Sequence, residues 1–276
     1  MSAVSRAALA RTSHRPWSLP QRPWVLAMRW ERLLFAHWRV PAEPLRRLLP
    51  AGLELDLRDG EAWLGVVPFM MRGVTPRGVP PLPGVSAFAE LNLRTYVVCD
   101  QRPGVWFFSL DATSRLAVRA ARRTFRLPYF DATIEVAREG AGIRYRSERI
   151  HRGAPAGSLV VRYGPAGAVA PPAAGSLEAW LTERYCLYSA TPAGRLLCGE
   201  IQHAPWPLQP AEAELERCTL ADRLGVTLSG LPLLHYADAL DVVAWWPHLT
   251  TKRNHDTESL RQDTSACASG AGGGGA

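Results

Sequence analysis

The chain has 276 residues, 47% of them hydrophobic and 21% charged, with a formal net charge of +7. That length holds one large domain or two small ones, and no apolar run approaches the ~20 residues that a membrane-spanning helix needs. The charge is lopsided: residues 1–47 hold nine arginines against Glu31 and Glu43, which accounts for the whole excess. Such an arm suits nucleic acid or anionic lipid. No nucleic-acid-binding signature follows it, so neither nucleic acid nor membrane is an expected partner. Cys99, Cys186, Cys198, Cys218 and Cys267 are scattered and form no CxxC pair. They read as free thiols rather than as a disulfide framework or a zinc site. With no apolar leader segment, the expected location is the cytoplasm.

Residues 1–23 contain three prolines and no periodicity, and are expected to form a disordered basic arm. A single domain is expected over residues 24–250, followed by a flexible, Gly-rich tail over 251–276. Glu31 to Val40 alternates as a strand, and a short helix is predicted from Pro44 to Leu49. Leu53–Leu57 and Ala62–Arg72 read as a hairpin turning at Asp59-Gly60. Pro68 in its second arm points to an edge or a bulge. After a proline-rich loop at 73–84 comes a long strand, Ser86 to Cys99. A type II turn is expected at Gln101-Arg102-Pro103-Gly104, then a strand from Val105 to Ala112. Asp111 to Ser114 offers cap chemistry for a helix to Phe125, whose arginines would face solvent.

Phe130–Arg138 and Ile143–Arg149 form a further predicted hairpin, and Ser158–Tyr163 another strand. Ser176 caps a helix to Arg184. Leu196–His203 is a strand stopped by Pro205-Trp206-Pro207. Ala211–Leu224 has helical composition, and Leu233–Trp246 contains further strand. The fold class is therefore mainly β with packed helices (α+β). The sheet is expected to be antiparallel and closed or strongly curled.

The stretch from Phe88 to Ala132 carries the chemistry. Phe88, Glu90, Asn92, Arg94 and Tyr96 share one strand face, opposite the apolar Ala89, Leu91, Leu93 and Val97. Glu and Asn are poor strand formers, so their place beside an arginine suggests a pocket wall. Arg94 would then bind a carboxylate, and Glu90 would act as acid, base or acceptor. A solvated face with cross-strand ion pairs is the plain alternative. Tyr129 opens the next strand and has a half-buried core aromatic as its alternative. His203 is fixed by the Pro-Trp-Pro corner for proton transfer or ligand contact, or serves structure alone. His37 reads as a hydrogen-bonded core histidine. No metal-ligand spacing appears, so no metal or cofactor is expected.

The blocks FAELNLRTYV, PGVWFFSLDA and LAVRAARRTFRLPY resemble those of the YqjF-like family, a bacterial family of unknown function. WERLLFAHWRVP, GEAWLGVVPFMM, LTERYCLY and IQHAPWPL agree, so the resemblance covers roughly residues 24–246. It implies an acetoacetate-decarboxylase-like fold: a conical β-barrel with helices around it and a pocket inside. Acetoacetate decarboxylase itself works through a Schiff-base lysine with a depressed pKa. The corresponding region here, roughly 117–132, holds arginines and no lysine, and Lys252 is the only lysine in the chain. A guanidinium stays protonated and cannot replace it. The expectation is a small-molecule-binding protein or non-Schiff-base enzyme whose barrel takes a small organic acid or other anion. The alternative is a non-catalytic structural or interaction protein with a filled barrel. A homo-oligomer is compatible with either.

Overall fold

The computed structural model describes residues 2–81 and 86–250. The tail expected to be flexible at 251–276, with Lys252 and Cys267 in it, lies outside the described residues, as does the 82–85 part of the proline-rich loop. Among the described residues no helix is long and apolar enough to cross a membrane.

The strands are β1 (Leu26–Val40), β2 (Glu54–Leu55), β3 (Ala62–Pro76), β4 (Phe88–Cys99), β5 (Arg102–Ala112), β6 (Tyr129–Glu139), β7 (Gly142–Arg149), β8 (Ser158–Pro165), β9 (Cys186–Ala190), β10 (Leu196–His203), β11 (Gln209–Cys218), β12 (Leu233–Ala244) and β13 (His248–Leu249). The helices are α1 (Ala3–Leu9), α2 (Ala42–Arg46), α3 (Arg115–Thr124) and α4 (Leu177–Thr182). Most pairings are antiparallel, as expected. Two are parallel and were not legible in the pattern: β5 with β6, bridged by α3, and β5 with β9.

Hydrogen-bonded neighbours run β13-β10-β9-β5-β6-β7-β8-β11-β12-β1-β3-β4-β2, and β4 also pairs with β5 and β10 with β12. Two circuits of paired strands result. One passes through β5, β6, β7, β8, β11, β12, β1, β3 and β4; the other through β5, β9, β10, β12, β1, β3 and β4. Strand periodicity divides the shared strands between two cores. Leu34, Leu64, Leu91 and Leu93 meet Tyr145, Val161 and Tyr163 of the first circuit. Leu33, Phe35, Val67, Phe69 and Phe107 face the other way, toward Leu181, Trp206 and Val242.

Local chemistry explains most element ends. Asp59 and Gly60, both at positive φ, make the tight turn that the Asp-Gly pair demands. Ser114 and Ser176 cap α3 and α4 by accepting from Ala117 N and Ala179 N. Pro68 does face an irregularity: β1 carries an extra residue between Glu31 and Ala36, with Arg32 at φ 57.

Three expectations are corrected. The turn before β5 is made by Asp100 and Gln101, both at positive φ, while Pro103 and Gly104 already pair in β5. The segment expected to be helical over 211–224 is strand β11 as far as Cys218, and only Asp222–Leu224 forms a single 3-10 turn. Its Ala and Glu residues favour helix, but pairing with β8 overrides that propensity, and Glu212, Glu214 and Glu216 are all exposed.

The third correction concerns residues 1–23. Ser2 caps α1, whose Ala8 packs with Trp24, Ala27, Val243 and Trp245. Arg15 is drawn in to an ion pair with Glu200 at 2.7 Å, with side-chain exposures of 1% and 7%. His14 Nε2 donates to the His203 carbonyl, and Trp17 Nε1 to Glu200. The arm is tied down by buried polar contacts that composition does not reveal.

Candidate functional site

Position along β4 separates the site into two poles. Glu90 and Arg94 share a strand face, about 13 Å apart at ~3.3 Å per residue. A cavity of about 430 Å³ lies along that face, between β1, β3, β4, β5, β10 and α3. All five residues singled out in the sequence line it: Glu90, Asn92, Arg94, Tyr129 and His203. Most of the remaining lining is apolar.

At one pole Glu90 is 1% exposed, so the solvated-face alternative does not hold for it. Its Oε2 accepts from the Tyr129 hydroxyl at 2.9 Å, and the Asn92 side chain also hydrogen-bonds it. Burial pushes the Glu90 carboxyl up to about 8, against the opposing pull of those two donors. Glu90 is therefore mostly a neutral acid at pH 7. Burial, then the Glu90 charge, raises the Tyr129 phenol well above its usual value, so Tyr129 remains a donor. The Glu90 main-chain carbonyl accepts from Tyr145 across the first circuit.

Arg94 at the other pole is half-buried. Its Nη2 donates to the Leu181 carbonyl at 3.2 Å and reaches the Tyr96 hydroxyl at 3.5 Å, while its guanidinium lies over the Phe35 and Tyr96 rings. Tyr96 in turn bonds His37 Nε2 at 2.6 Å. Burial, and then the nearby Arg94 charge, hold His37 well below the usual histidine range. His37 is thus the core histidine expected, with a link to the site. Gly65 lies opposite both His37 and Arg94 in the strand ladder. A Cβ there would meet His37 Cδ2 at 3.0 Å and Arg94 Cγ at 3.4 Å, so the absent side chain makes room for both.

Arg184, just beyond α4, is the residue that sequence reasoning missed. It is buried and lines the same cavity. Its Nη1 donates to Asp56 at 2.5 Å and its Nε to the Trp180 carbonyl. Burial lowers its pKa, the Asp56 charge opposes that, and Arg94 is close enough to add to the lowering. A lone arginine in LTERYCLY, at a helix end, shows no periodicity that would mark it.

His203 is 1% exposed and stacks on Tyr185 at 4.7 Å. Its Nδ1 lies 2.7 Å from the Ala204 carbonyl. A carbonyl only accepts, so Nδ1 carries the proton and Nε2 presents a lone pair. Burial lowers the His203 pKa to about 4. Five residues that line this cavity each hold a buried polar atom with no hydrogen-bond partner among the described residues: Trp30 Nε1, Asn92 Oδ1, Arg94 Nε, Arg184 Nη2 and His203 Nε2. Two are cationic donors, the Trp30 indole is a neutral donor, and two are neutral acceptors.

The helix α3 presents Ala117, Ala120, Ala121 and Thr124 to the cavity. Its arginines 115, 119, 122 and 123 are all exposed, as their spacing predicts. No group of three His, Cys, Asp or Glu among the described residues is placed to hold a metal ion.

A family model described as an uncharacterized conserved protein, DUF2071, matches residues 27–241. The chain belongs to the DUF2071 family. The uncharacterized protein YqjF of Bacillus subtilis is 44% identical over 229 residues, covering 83% of this chain and 93% of its own. Among solved structures, acetoacetate decarboxylase from Legionella pneumophila superposes with a TM-score of 0.59 at 13% identity, covering 91% of this chain and 96% of that one. An acetoacetate decarboxylase-like enzyme from Sphingomonas wittichii gives 0.58 at 17%, covering 83% and 94%. The enduracididine biosynthesis enzyme MppR, complexed with pyruvate, gives 0.56 at 14%, covering 84% and 92%. At such identities the DUF2071 chain shares a fold with these enzymes. The expected YqjF-like membership stands, and the fold is mainly β with few helices, like that of the acetoacetate decarboxylases.

Proposed function

We propose that the two strand circuits form conjoined barrels, one filled and one holding a ligand pocket, and that the pocket binds a carboxylate through Arg94 and Arg184. The observation that carries this reading is that five residues lining one largely apolar cavity each hold an unpartnered buried polar atom. A buried unpaired donor or acceptor costs about 1–3 kcal/mol, more when charged. Five of them around one cavity favour a polar ligand that rearranges with these side chains and takes up part of the deficit. Arg94 has no carboxylate partner among the described residues, and Arg184 has only Asp56, so an anion suits the arginine pole. Asn92 Oδ1 and His203 Nε2 would accept from a ligand hydroxyl or from water carried with it.

Glu90 supplies a protonated carboxyl at neutral pH, the form a proton donor needs. We assign it first to hydrogen bonding and, where a bound acid reacts, to proton delivery. A Schiff-base route through a side-chain amine is not supported among the described residues, which hold no lysine. Free buried Cys99, Cys186 and Cys198 favour a reducing compartment, so we place the protein in the cytoplasm. The filled-barrel reading is favoured on the other side of β4, where Leu91 and Leu93 pack against Tyr145 and Val161.

Arg94→Met tests the reading, since it keeps much of the volume and removes the charge. Calorimetric titration with small carboxylates should show affinity falling roughly ten- to a hundredfold, because a charge-assisted bond contributes about 1.5–3 kcal/mol. Equal binding by the wild type and the variant would end the carboxylate assignment.

A further inference from the structure

Resting on that carboxylate reading, we infer that the ligand is an elongated carboxylic acid with a long apolar body, not a three- or four-carbon keto acid. The anion-binding arginines and the Glu90–Tyr129 pair stand at opposite ends of the β4 face, about 13 Å apart along the strand. The Arg94 guanidinium lies over the Phe35 and Tyr96 rings. A keto acid whose carbonyl adjoins its carboxylate spans only a fraction of that distance. It would satisfy the arginines and leave the Glu90 pole empty.

The walls between the poles are hydrocarbon. Trp30, Phe69, Phe88 and Phe107 line the cavity from the sheet, and Phe125 and Leu127 from beyond α3. Its volume of about 430 Å³ lies in the range of roughly 300–1,000 Å³ that takes drug-sized ligands. The small side chains Ala117, Ala120 and Ala121 keep the α3 wall low. Trp246 is 49% exposed, lines the cavity, and packs on Phe125 at 5.5 Å, so an apolar ring borders solvent there. An acid seated with its carboxylate on Arg94 and Arg184 would lay its chain along these residues.

The test is a chain-length series: butanoate, hexanoate, octanoate and decanoate, with pyruvate as the short keto acid, titrated into the full-length protein. Each methylene buried should tighten binding roughly three- to fourfold until the cavity is full. Arg94→Met should weaken every member by a similar factor. Ala121→Trp, which takes volume from the α3 wall, should weaken decanoate strongly and butanoate little; its thermal melt checks folding, and the wild-type series stands without it. Pyruvate or butanoate binding as tightly as decanoate, with Arg94 dependence, would overturn the elongated ligand and leave the carboxylate reading intact. Affinity that climbs with length but ignores Arg94→Met would overturn the carboxylate reading, and this inference with it. Failure of every acid to bind would overturn both.

Discussion

Glu90 sets the electrostatic character of the site, and its burial makes a pH signature. In the folded chain its pKa is raised from the ordinary 4.5 to about 8. Between those values the folded state holds a proton that the unfolded chain has lost. Its contribution is therefore fully present below about pH 4.5 and is lost as pH rises through about 8, at up to about 1.4 kcal/mol per pH unit. His203 and His37 act in the opposite sense, since burial lowers their pKa values and stability falls as pH drops below the ordinary 6.5. They are common to wild type and variant and cancel on subtraction. Glu90→Gln keeps an acceptor for Tyr129 and has no proton to lose. Urea melts from pH 5 to 8.5 should show the variant gaining stability relative to wild type as pH rises. Parallel profiles would mean that Glu90 is not held as a neutral acid.

The N-terminal arm makes the sharpest case among the elements. The Arg15–Glu200 pair is buried on both sides, and Arg102 stands 3.7 Å from the other Glu200 oxygen. Removing one partner from a buried pair costs about 3–5 kcal/mol, and Arg102 puts this case at the low end. Arg15→Met should lower Tm by roughly 6–12 °C, at 2–4 °C per kcal/mol for a chain this long. Deleting residues 2–23 should cost more, because it also uncovers Ala27 and Val243. An unchanged melt for either variant would show that the arm is ornamental.

The same element shows where sequence reading stops. Alternation placed Glu90, Asn92 and Arg94 on one face correctly, because a strand's period of two needs no knowledge of its partners. Caps and the Asp-Gly turn were legible for the same local reason. Arg15 and Arg184 were not, since each is defined by an acid far along the chain, Glu200 and Asp56. Strand β11 was hidden because its composition favours a helix and only the β8 partner decides otherwise.

At the scale of the whole molecule, the two circuits share β12, β1, β3, β4 and β5. The apolar face of β4 packs into a hydrophobic cluster and its polar face lines the cavity, which places a packed core and a cavity back to back. Proximity of the packed side holds Glu90 in place through the Tyr145 hydroxyl on its carbonyl. On the proposed reading, the polar face receives an acid. A crystal structure grown with a bromine-tipped alkanoate tests it directly, since the bromine marks the tail by its anomalous signal. The carboxylate should sit roughly 2.7–2.9 Å from a guanidinium nitrogen of Arg94 or Arg184, with the bromine among the apolar walls toward Phe88 and Leu127. Density for the acid outside this cavity, or Arg94 turned to bulk water, would contradict the account.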